Sequence, residues 1–71
     1  MKIIEAEKGD SIYIACQKAA MESKNIRGMV SLNFNDISII ISPFSDPDDS
    51  ATIYNLKHKI KQLERPIDYQ N

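Results

Sequence analysis

Seventy-one residues make one domain, and at that size a single core supplies only about 3–5 kcal/mol unless a disulfide, a metal or a partner subunit assists. One cysteine, Cys16, excludes an internal disulfide, and that thiol with the single histidine, His58, falls short of a four-ligand zinc site. A formal net charge of −1 creates no field toward nucleic acid or anionic membrane, and no apolar stretch reaches a membrane span, so the expectation is a cytoplasmic protein without cofactor or membrane partner.

In chain order, Lys2 to Glu7 alternates loosely, with Ile4 and Ala6 on one side and Ile3, Glu5 and Glu7 on the other, as a short strand with one wetter face does. The opening MKIIEAEKGD lacks the apolar core of a secretion signal. Lys8-Gly9 breaks the strand, and Asp10 or Ser11 caps a helix. Ile12, Cys16, Ala19 and Ser23 recur at helical spacing beside Ala15 and Ala20, a narrow face that lets the helix lie close to a sheet. Glu22, Ser23, Lys24 and Asn25 lead out of it, and Arg27-Gly28 opens the hairpin.

Met29 to Ser42 reads as a β-hairpin. Val30, Leu32 and Phe34 share one face of the first arm, and Ile37, Ile39 and Ile41 share one face of the second. A two-residue loop at Asn35 and Asp36 sets Phe34 opposite Ile37, Leu32 opposite Ile39 and Val30 opposite Ile41, so the apolar faces coincide, although a four-residue loop is open. Pro43 ends the strand. Ser45 or Asp46 caps the second helix, Pro47 suits its first turn, and Asp48 and Asp49 sit at the positive end of its dipole. Lys57, His58, Lys59, Lys61 and Arg65 balance the negative end, and Pro66 stops the helix. The domain is therefore residues 1–65, with 66–71 as a C-terminal tail.

The order is β-α-β-β-α, an α+β domain with two helices on one face of a three-stranded sheet. The first strand is expected beside the second hairpin arm in antiparallel sense, giving the order 1-3-2; the alternative sets it parallel to the first arm. Three strands span roughly 14 Å, whereas two helices need about 20 Å, so one helix overhangs. The second helix carries Ile53, Leu56, Ile60 and Leu63 at alternating steps of three and four, a stripe that either closes the core or pairs with a second copy of the chain, a homodimer or higher closed assembly.

Chemistry-bearing candidates have plainer roles. Cys16 on an inner helix face reads as a buried thiol, His58 as a dipole-compensating side chain, and Asp46, Asp48 and Asp49 as capping residues without calcium-loop spacing. No glycine-rich phosphate cradle or nucleophile motif is present, so the chain is expected not to be an enzyme. Lys57, Lys61 and Arg65 form a basic line that could follow phosphates, but no aromatic residues interleave with it. Ile3, Met29 and Ile40 interrupt the polar sheet face and form a candidate surface for a protein partner.

In its compactness, capped helices, single hairpin and lack of catalytic motifs, the chain resembles the short, stand-alone α+β proteins of bacteriophage and prophage genomes. That resemblance implies binding, inhibition or redirection of a host protein. The expected function is thus a self-associating protein-interaction module. A nucleic-acid-binding module using the basic end of the second helix, or a nucleotide binder at a subunit interface, is the alternative.

Overall fold

The computed structural model describes residues 1–63. Its elements are β1 (Lys2–Glu5), α1 (Ile12–Ile26), β2 (Val30–Phe34), β3 (Ile37–Ile41) and α2 (Pro47–Leu63), in the expected β-α-β-β-α order. Arg65, the Pro66 stop and the tail at 66–71 lie outside the described residues.

The hairpin has the register that its apolar alternation requires. Phe34 faces Ile37, Leu32 faces Ile39 and Val30 faces Ile41. The loop is the two-residue form, with Asn35 at φ 50° and Asp36 at φ 65°, the left-handed pair whose twist matches the flanking strands. Val30, Leu32, Ile37, Ile39 and Ile41 are buried, while Ser38 and Ile40 on the other face are exposed.

The strand order is 1-2-3, and this corrects the expected 1-3-2 order: β1 lies beside β2, parallel to it, with Lys2 opposite Val30 and Glu5 opposite Asn33. Both orders send β1 in the same direction but put it on opposite sides of β2, so with α1 over the same sheet face the two crossovers differ in hand, which parallel β-α-β connections strongly constrain. The ladder continues past the strand through the Ala6 amide, which donates to the Asn33 carbonyl at 3.0 Å. On the outer face Asn33 joins the three strands, donating to Glu5 at 2.9 Å and accepting from the Ser38 hydroxyl at 2.6 Å. A Lys2–Glu22 ion pair at 2.6 Å ties β1 to α1. The far edge of β3 lies under α2, whose Lys57 and Lys61 donate to the Ser38 and Asp36 carbonyls at 3.0 and 3.3 Å. Lysines folded over an edge close it to another strand.

Helix α1 begins at Ser11, whose hydroxyl accepts from the Ile14 amide at 3.2 Å. Its inner face is small: Ala15, Cys16, Ala19, Ala20 and Ser23 are all buried, so the helix approaches β2 and β3 closely. It ends in a left-handed residue, Arg27 at φ 54°, ψ 43°, one position before the glycine. The Arg27 and Gly28 amides return to the Lys24 and Ser23 carbonyls, the Schellman closure. Helix α2 begins at Asp46, whose carboxylate accepts from the Asp48 amide at 2.9 Å and whose carbonyl accepts from the Ser50 amide. It packs against α1 and β3. Both helices thus serve the face bearing the hairpin aliphatics, with Ile4, Ala6, Ile12 and Phe34 around the margin of the core.

Candidate functional site

The inward face of α2 is not its aliphatic stripe. Ser50 and Tyr54 are the buried residues of this helix, with Ala51 and His58 half-buried along the same side. Tyr54 meets Phe34 edge-on at 5.1 Å between ring centroids, stacks on His58 at 5.9 Å, and its hydroxyl accepts from Asn35 at 3.4 Å. An aromatic ring spans the gap that an overhanging helix leaves above a three-stranded sheet, and its hydroxyl reaches a polar partner at the margin.

Ile53, Leu56, Ile60 and Leu63 turn the other way, with relative exposures of 47, 56, 54 and 77%. Taking Tyr54 as facing the sheet and 100° per residue, these four fall within an arc centred about 140° away from it. Beyond Tyr54, from Asn55 to Leu63, no residue is buried. Among the described residues, this stretch of two and a half turns touches the body only through half-buried His58 against Tyr54 and through Lys57, Ile60 and Lys61 beside the hairpin, thin support for a helix whose stability in water depends on a packed apolar face. Fully burying a Leu or Ile is worth about 1.5–3 kcal/mol, so at these exposures the stripe holds roughly 3–7 kcal/mol of unrealised burial per chain.

The second apolar surface lies on the opposite side of the molecule. The register places Ile3, Ser31 and Ile40 in one row across the outer face of the sheet. Met29, one strand step before Ser31, falls on the same side. Ile3, Met29 and Ile40 are 65, 53 and 50% exposed. The next row is the polar Glu5–Asn33–Ser38 chain. The patch therefore occupies the end of the sheet away from the hairpin turn.

The basic line is held differently from a phosphate-tracking surface. Lys57 and Lys61 are turned onto carbonyls of the hairpin and line, with Ile37, Ser38 and Ile60, a shallow groove between α2 and the edge of β3. Arg65 lies outside the described residues. Cys16 is fully buried, and burial pushes its thiol pKa up, away from the thiolate a nucleophile needs. Lys18, bridging Asp10 at 3.0 Å and Glu7 at 3.4 Å, braces the loop between β1 and α1. Among the described residues, no three His, Cys, Asp or Glu side chains are grouped to hold a metal ion, and no helix is long and apolar enough to cross a membrane.

The aliphatic stripe on α2 and the sheet trio, both expected from residue spacing, are thus each assembled into one surface, on opposite sides of the body. The sequence pattern did not single out Tyr54 as the core anchor or the lysine caps on β3. Tyr54 repeats with Ser50 and His58 at steps of four, a signal present in the sequence but polar enough to be overlooked beside four aliphatics. No protein family model, curated protein or solved structure matches this chain.

Proposed function

We propose that this chain is a non-enzymatic interaction module that binds another protein, in the manner of the phage-type proteins it resembles, and inhibits or redirects it by occupying its surface. One observation carries the reading: large apolar side chains lie outside the core on two separate faces, Ile3, Met29 and Ile40 on the sheet and Ile53, Leu56, Ile60 and Leu63 on α2, while the helices fill the core with alanine, cysteine and serine side chains and a single tyrosine. Contiguous exposed aliphatics of this kind mark protein-interaction surfaces. The outer-face trio of Ile3, Met29 and Ile40 supplies the docking surface for the host protein, and the α2 stripe serves self-association. The side chains with potential chemistry have structural employment instead: Cys16 in the core, His58 against Tyr54, and Asp46 at a helix cap. Nucleic-acid or nucleotide binding through the basic line has less support, because Lys57 and Lys61 already serve the hairpin carbonyls.

The test is affinity capture from cells of the source organism with the tagged chain and its Ile40→Lys variant. Ile40 is half exposed on a sheet face away from the core, so the variant should retain its circular dichroism spectrum and melting temperature. The wild type should retain a host protein in near-stoichiometric amount, and Ile40→Lys should lose it. Retention of the same protein by Ile40→Lys at wild-type yield would refute the assignment of this face.

A further inference from the structure

The stripe on α2 has a direction as well as a composition. Asp48 and Asp49 stand in the first turn of α2, and Lys57, Lys59 and Lys61 in its last turns, so one end of the helix is negative and the other positive, in the sense that complements its own dipole. Laying two such helices side by side in parallel sets carboxylates against carboxylates and ammoniums against ammoniums. Laying them antiparallel with Ile53 against Ile60 keeps the two acidic ends apart, sets the Lys57–Lys61 stretch beside residues 52–56 of the other copy, brings each acidic first turn within about one turn of the other copy's Lys61, and opposes the two dipoles.

We propose that α2 pairs with α2 of a second copy, antiparallel about a two-fold axis near Leu56, with Ile53 of each chain facing Ile60 of the other. This deepens the self-association in the functional reading above and rests on it. The two-fold arrangement is isologous and therefore closed, so it gives a dimer and stops there. It covers the half of α2 that contains no buried residue, and both copies contribute their exposed aliphatics to one seam. The alternative route to self-association, pairing of sheet edges, is obstructed at β3. Lys57 and Lys61 occupy the Ser38 and Asp36 carbonyls there, and the Ser42 amide donates to the Ser45 hydroxyl at 2.9 Å. At the other margin, β1 offers a strand of four residues. Four aliphatics per copy make a small interface, whose surplus over the cost of association corresponds to a dissociation constant of about the micromolar range.

Single cysteine variants at exposed seam positions test both the pairing and its sense. Cys16 is buried, so the wild-type chain is the control for background crosslinking. Leu56→Cys, Leu63→Cys, and an equimolar mixture of Ile53→Cys and Ile60→Cys are oxidised with copper phenanthroline in air and resolved on non-reducing gels. Sedimentation equilibrium of the wild type is measured from about 1 to 500 μM, bracketing the affinity expected for a small interface. The expected result is a monomer–dimer equilibrium, strong self-crosslinking of Leu56→Cys, little of Leu63→Cys, and mixed dimers from Ile53→Cys with Ile60→Cys. Equal self-crosslinking at Leu56 and Leu63 means a parallel pair and overturns the proposal. So does a dimer that none of the seam cysteines can link. A wild type that stays monomeric throughout also overturns it, yet leaves the host-protein reading standing, because that reading fails or holds on Ile40→Lys.

Discussion

Arg27 closes α1 in the left-handed conformation with its side chain exposed to solvent, so replacing it changes the backbone preference and little else. For an L-residue that conformation costs roughly 1–2 kcal/mol, from Cβ crowding against the following carbonyl. Glycine removes the crowding, but its freer unfolded chain returns about 0.5–1 kcal/mol of the gain. Arg27→Gly is therefore expected to stabilise the fold by up to about 1.5 kcal/mol, with a midpoint of about 0.7 kcal/mol that for a domain this small raises the melting temperature by roughly 3–6 °C. Asparagine, which tolerates left-handed backbone, should fall between arginine and glycine. Valine, branched at Cβ, should lower the melting temperature. Thermal unfolding followed by circular dichroism at 222 nm, at one fixed protein concentration because self-association raises apparent stability, reads the whole series. A flat series, or glycine below arginine, would refute a left-handed closure at Arg27 and with it the path from α1 into β2.

Ser23→Ala should destabilise by about 1–3 kcal/mol. The fully buried Ser23 hydroxyl donates to the Gly28 carbonyl and lies 3.4 Å from that of Ile41, and its loss leaves buried acceptors short of a donor. The urea midpoint should fall while the slope of the transition stays unchanged. The hydrogen bond and positive charge of Lys2 hold the Glu22 carboxyl below the usual glutamate range. A carboxylate lowered in the folded state stabilises above its unfolded pKa, and that contribution disappears as the pH falls through the lowered folded value. Lys2→Met should therefore reduce stability at neutral pH and flatten the acid limb of a stability-versus-pH curve; an unchanged acid limb would show that the pair is not formed in solution.

What the sequence made legible follows the range of the interactions involved. The hairpin could be read to its register because alternation from Val30 to Ile41 and the Asn35-Asp36 loop are both local, and each supports the other. The start of α2 was equally plain, since Asp46, Pro47 and the two following aspartates act within one turn. The side-by-side order of strands was not. The direction of β1 is the same next to β2 or β3; the side of β2 on which it lands depends on the hand of the crossover through α1, and Lys2–Glu22 and Glu5–Asn33, between residues far apart in the chain, form only once that side is chosen.

The stripe on α2 marks a second limit. Periodicity groups Ile53, Leu56, Ile60 and Leu63 on one side of the helix, but the direction of that side is set by Tyr54 docking against Phe34. At the end of α1, the expected exit at Glu22 to Asn25 is still helical: the helix runs through Ile26 and closes on a left-handed Arg27. A cap requires a particular backbone angle, and the Schellman hydrogen bonds decide which of two adjacent residues supplies it.

Placing β1 at the margin gives the molecule an uneven mechanical character. The strand is attached through its ladder to β2, the half-buried Ile4 and the Lys2–Glu22 pair, whereas the hairpin, the small face of α1 and Tyr54 interlock as a nucleus. The β2–β3 register is set within the hairpin and does not depend on β1. The N-terminal strand is thus the element whose amides depend least on the packed interior, and hydrogen exchange there should run ahead of exchange in the hairpin.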